Sequence, residues 1–100
     1  MVKLLPKTIR VGKKRYSIEV VETMLQHRMG SVDHDTQRIT IGRKSTSGHR
    51  YSQAIMTDTF WHELVHAILN DMGRHTLNQD EQFVTGFANR LTKAIQSARF

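Results

Sequence analysis

Two kinds of hydrophobic spacing divide the chain near residue 50. Before it, apolar side chains alternate with polar ones at period two, which puts them on one face of a strand. Ile9 and Val11 alternate within Lys7–Val11, and Tyr16, Ile18 and Val20 within Arg15–Glu22, so two strands are predicted, joined by a turn at Gly12-Lys13-Lys14. Val21–Arg28 carries a weak helical or irregular pattern through Met24 and Leu25 and ends at Gly30. Val32 and then Ile39 and Ile41 flank the polar stretch Asp33–Gln37, predicting a second hairpin over Ser31–Ile41. Gly42–His49 is small and polar and predicts an exposed loop.

The period then lengthens. From Tyr51 to Met72 there is no Gly or Pro, and Ala54, Ile55, Trp61, Leu64, Val65, Ile68, Leu69 and Met72 recur at spacings of three and four. Gly73 follows where a helix C-terminus favours glycine. A second helix is marked by Asn78 and Glu81 at capping-box spacing, with Val84, Phe87, Ala88, Leu91 and Ile95 as its core-facing stripe. Strands first and helices afterwards predict an α+β fold: a small twisted sheet of three to four strands, antiparallel or mixed, followed by two long helices.

Composition narrows the chemistry. One hundred residues, 38% of them hydrophobic and 24% charged, suit a single domain over 1–100 with one modest core. There is no cysteine, which excludes disulfides, thiolate nucleophiles and Cys-ligated zinc, so any metal must be held by His, Asp or Glu. No apolar run approaches the ~20 residues of a membrane span. The basic start lacks the apolar segment of a secretory signal, so a cytoplasmic protein is expected. Residues 1–50 hold eleven Lys/Arg against four Asp/Glu, and residues 51–100 four against five. A basic half can serve nucleic acid, but the chain has neither an aromatic-rich RNA-binding signature nor a helix-turn-helix pattern, which favours a solvated basic surface.

The chemistry lies in the first helix. His62-Glu63-Leu64-Val65-His66 is an HExxH motif. Residues four apart are neighbours on one helix face, so both imidazoles can reach one zinc ion, while Glu63 sits beside them as a general base for a zinc-bound water. A chain with six histidines meets this pattern by accident at a rate of roughly 1.4%. The competing interpretation is a surface histidine pair; the uninterrupted amphipathic helix around the motif argues for the metal site.

A catalytic zinc normally takes three protein ligands and leaves the fourth position to water. A metzincin-type third histidine is excluded, since Met72 stands where it would fall. The remaining candidates are His75, Asp80 and Glu81, with His49 and His34 more distant. Glu81 shares its stripe with Val84, Ala88, Leu91 and Ile95 and is expected to face inward as the ligand; the alternative is a local cap shared with Asn78. Asp80 is the reserve.

FWHELVHAIL followed by DEQFVTGFANRL resembles the gluzincin branch of zinc metallopeptidases, in the small versions called minigluzincins and the related ImmA/IrrE-type peptidases of phages and bacteria. Those proteins pair HExxH with a Glu opening a second helix in a pattern like ExxANxFA. On this chain the Glu falls on Glu81 and the FA pair on Phe87-Ala88, with Val84 and Thr85 replacing the Ala and Asn. GSVDHDTQRITI also resembles the strand preceding the active helix in phage-encoded members, so the resemblance spans roughly residues 30–95.

The resemblance implies a zincin-like fold and a zinc-dependent endopeptidase. His62, His66 and Glu81 would hold Zn2+, Glu63 would act as general base, and a peptide or protein substrate would add as a strand along an edge over Gln37–Ile41. Tyr51, His75, His49 and Arg74 are candidates for transition-state stabilisation, and Asp58, one turn before His62, for orienting a ligand imidazole. The alternative is a catalytically silent, zinc-stabilised binding module, or a nucleic-acid-associated protein acting through the basic first half.

Overall fold

A computed structural model describes residues 5–100; the first four residues of the basic start lie outside them. Four strands, β1 (Thr8–Val11), β2 (Lys14–Thr23), β3 (Gly30–Asp33) and β4 (Arg38–Lys44), precede the helices α1 (Gln53–Asp71), α2 (His75–Asn78) and α3 (Glu81–Ser97). The fold is α+β, as the change of period predicts.

The sheet is mixed, in the order β1-β2-β4-β3. The β1–β2 and β3–β4 pairs are antiparallel hairpins, whereas β2 and β4 run parallel. Register carries one row of side chains across the sheet through Ile18, Ile39 and Val32, and the next through Val20, Ile41 and Gly30. Period-two alternation thus gathers Ile39 and Ile41, both 0% exposed, with Val11 and Tyr16 on the face that α1 covers through Phe60, Leu64 and Ala67. Each such side chain contributes about 1.5–3 kcal/mol.

Two features depart from the sequence pattern, and a third follows it. The edge strands are β1 and β3, because β4, carrying the segment 37–41 expected at the edge, inserts between β2 and β3. Strand β4 also continues through Gly42 to Lys44, so the exposed loop shrinks to a turn closed by bonds from Ser45 N–H to His49 O (2.8 Å) and from Tyr51 N–H to Arg43 O (2.8 Å). The irregular segment after β2 is a short 3₁₀ turn, Leu25–His27, in which Gln26 and His27 adopt left-handed φ of 59° and 58°. That conformation is costly for residues with a side chain. It is held by a hydrogen bond between Thr46 Oγ1 and His27 Nδ1 (2.9 Å) and by Gly42 N–H donating to Met29 O (2.9 Å). The turn delivers β3 to the outer edge of β4.

Helix α1 starts on Ser52, whose hydroxyl accepts from Ile55 N–H at 3.1 Å. It stops at Gly73, φ 72°, where Gly73 N–H bonds Asn70 O and Arg74 N–H bonds Leu69 O, a Schellman arrangement. One side of α1 faces the sheet; another, through Val65 and Leu69, meets Val84 and Ala88 of α3. Its predicted apolar face is corrected accordingly: Phe60 and Ala67 are buried, while Ile55, Ile68 and Met72 are exposed. On α3 the buried stripe is Val84, Ala88 and Thr92, and Phe87 and Ile95 of the expected stripe are exposed. Among the described residues no helix is long and apolar enough to cross a membrane.

Candidate metal centre

Between the sheet edge and α3 lies a cleft of about 950 Å³ floored by α1. One wall is the turn before β3 with β3 itself (Arg28, Gly30, Val32), and the other is α3 (Thr85, Asn89, Lys93). The floor holds Asp58, His62, Glu63 and His66. Strand β3 can press onto this floor because residue 30 is glycine: a Cβ there would lie 2.6 Å from Thr59 Cγ2 and 3.3 Å from Glu63 Cγ.

Three side chains converge on one point in the cleft. His62 Nε2 lies 3.2 Å from Glu81 Oε1, and His66 Nε2 lies 3.1 Å from Glu81 Oε2. The imidazole centroids are 5.0 Å apart, and one ligand atom from each of the three residues falls within 4.8 Å of the others. Donors each ~2.0–2.2 Å from a tetrahedral zinc stand roughly 3.3 Å apart, close to these separations. His62 and His66 are held by the helix spacing; Glu81 arrives from the first turn of α3.

Proton placement sharpens the fit. Asn78 Oδ1, which can only accept, lies 2.6 Å from His66 Nδ1, so the His66 proton is on Nδ1. In the neutral ring the Nε2 lone pair therefore points at a carboxylate oxygen, a repulsive pairing that a cation between them turns into coordination. His62 favours the neutral, metal-binding form: burial first, then His66, lowers its pKa below 6.5, against the opposing pull of Glu81 and Asp58. Two imidazoles and a carboxylate, with no thiolate or carbonyl oxygen, suit Zn2+ better than Ca2+ or Mg2+.

Glu63 is 8% exposed in the cleft floor. Burial first, with Glu81 adding to it, raises its pKa from 4.5 to about 7, although His66 and Arg28 pull the other way. A carboxyl group poised there can take up and return a proton near neutral pH.

The capping expectation is corrected. Asp80 is the N-cap of α3, its carboxylate accepting from Phe83 N–H at 3.1 Å, while Asn78 belongs to α2 and turns to His66. Asp80 is thereby engaged as a cap, and Glu81 is free of capping. Glu81 does not face inward either: its side chain is 66% exposed at the mouth of the cleft. Asp58 lines the cleft, and its buried Oδ1 has no hydrogen-bond partner among the described residues. Tyr51, His49, His75 and Arg74 do not line the cleft; Arg74 and His75 border a separate shallow depression with Asp80. His34, considered from the sequence only as a distant ligand, does line it. Nothing in the sequence signals that Asn78 meets His66, because its spacing to Glu81 is that of a capping box.

Compared with protein-family models, with curated proteins and with solved structures, the chain matches none.

Proposed function

We propose that this protein is a zinc-dependent endopeptidase. The observation that carries the reading is the convergence of His62, His66 and Glu81 on one point with the buried carboxyl of Glu63 beside them. The resemblance of both helical segments to the gluzincin branch supports it.

His62, His66 and Glu81 would hold the ion, and Asn78 fixes the His66 ring and tautomer. When bound, the ion supplies a Lewis acid that polarises a carbonyl and acidifies water. Glu63 accepts the proton of the attacking water at a carboxylate oxygen and returns it to the departing amide nitrogen. Substrate lies extended along β3, whose outer edge has no strand neighbour among the described residues and borders the cleft. Backbone pairing along that edge positions the scissile bond over Glu63. A cytoplasmic setting belongs to the same proposal.

The test is Glu63→Gln. The zinc-loaded parent cleaves unstructured peptides, and the variant loses cleavage while keeping its zinc. A zinc-loaded parent that binds peptides without cutting them would instead favour a silent binding module.

A further inference from the structure

The peptidase reading leaves one task without a residue: a donor to the substrate oxygen as it gains negative charge. We propose that His34 is that donor, its Nε2–H bonding the carbonyl oxygen under attack while Tyr16 holds the ring. This rests on the peptidase reading.

His34 follows directly on β3, the edge along which the substrate lies, and lines the same cleft as His62, Glu63 and His66. Its backbone and its ring are fixed independently. The Asp33 carboxylate accepts from Asp35 N–H at 2.9 Å and from Thr36 N–H at 3.1 Å, an Asx turn that encloses His34. The ring is set by Tyr16, whose hydroxyl lies 3.3 Å from His34 Nδ1, with the two rings edge-on at 85° and centroids 6.5 Å apart. Tyr16 is 1% exposed and belongs to the core between sheet and α1, so it is a rigid anchor rather than a surface group.

With the Tyr16 hydroxyl donating to Nδ1, a neutral imidazole carries its proton on Nε2, the ring nitrogen left without a hydrogen-bond partner among the described residues. The surroundings favour the neutral ring: burial first, then Lys14 and His66, lowers the His34 pKa below 6.5, against Asp33 and Asp35. No proton leaves the ring in this role. The bond from Nε2–H shortens and strengthens as the oxygen becomes an oxyanion, which is why a pre-aimed donor accelerates the step rather than only binding substrate.

The experiment compares zinc-loaded parent, His34→Ala, His34→Leu, His34→Gln and Tyr16→Phe on a peptide that the parent cleaves. His34→Leu keeps bulk without a donor, and circular dichroism and zinc content verify fold and loading. Expected is a fall in kcat of about 10²–10³-fold for both non-donor variants, with KM and zinc content little changed. His34→Gln, whose amide can donate, recovers part of the loss, and Tyr16→Phe falls between parent and His34→Ala. Affinity for a phosphonamidate peptide, which mimics the oxyanion, drops by a similar factor in calorimetry, while affinity for a product peptide is retained. Folded non-donor variants with kcat within about threefold of the parent, or equal losses of affinity for both ligands, would overturn the role of His34 while leaving the peptidase reading intact. A zinc-loaded parent that cleaves no peptide sinks that reading first and this proposal with it.

Discussion

Asn78 Oδ1 accepts a hydrogen bond from His66 Nδ1 at 2.6 Å, so a residue of the short α2 helix decides which nitrogen of an α1 histidine faces Glu81. Groups that orient a metal-bound imidazole typically contribute 10–100-fold in metal affinity. Asn78→Ala is therefore expected to weaken zinc binding about 10–100-fold in a chelator competition, with helix content unchanged. Unaltered affinity would mean that the ring needs no partner at Nδ1.

Gly30 lets β3 lie against the floor of the cleft. An alanine there would drive its Cβ into Thr59 Cγ2, 2.6 Å away, and against Thr40 O at 3.1 Å. Gly30→Ala is expected to cost about 1–3 kcal/mol in urea denaturation, as overpacking does. Adding Thr59→Ser removes the offending methyl while keeping the hydroxyl that donates to Ile55 O at 2.9 Å, and should recover part of the loss. Strictly additive effects would show that β3 does not contact α1 at this point.

Glu63 links stability to pH. Its folded pKa of about 7 lies above its ordinary 4.5, so between those values the folded chain binds more protons than the unfolded one. Stability of the metal-free protein therefore falls as pH rises through this window, by at most on the order of 3 kcal/mol from this group. Glu63→Gln carries no such proton. Denaturation in the presence of a chelator should show the variant gaining on the parent as pH rises from 4.5 to 7, and the two converging at the acid end. A constant difference between them across the window would contradict a burial-driven shift.

What the sequence revealed depended on whether the information was local. Both hairpins and both long helices were legible because period and turn residues lie within each segment. The HExxH pair was legible for the same reason, since one helix supplies all three groups. Strand order was not: alternation shows that Ile39 and Ile41 share a face, but nothing in it says that β4 will insert beside β2 and leave β3 at the edge. The stripe on α3 was misjudged because its burial is set by where α1 lies, so Thr92 is covered while Phe87 and Ile95 remain exposed. Asn78 had the spacing of a cap and took a different partner, because Asp80 sits closer to the start of α3 and satisfies Phe83 N–H. Glu81 reaches the imidazoles from the exposed first turn of α3 rather than from a buried stripe.

The central claim, one ion held by His62, His66 and Glu81, is tested most directly by the zinc content of the purified, zinc-replete protein under native mass spectrometry. Two variants accompany the parent: Glu81→Ala and, as a neighbouring control, Asp80→Ala. The account predicts one zinc per chain in the parent, loss of that zinc in Glu81→Ala, and full zinc in Asp80→Ala, which gives up only a helix cap worth about 0.5–2 kcal/mol. A parent without zinc, or a Glu81→Ala variant that holds it as the parent does, would contradict the account.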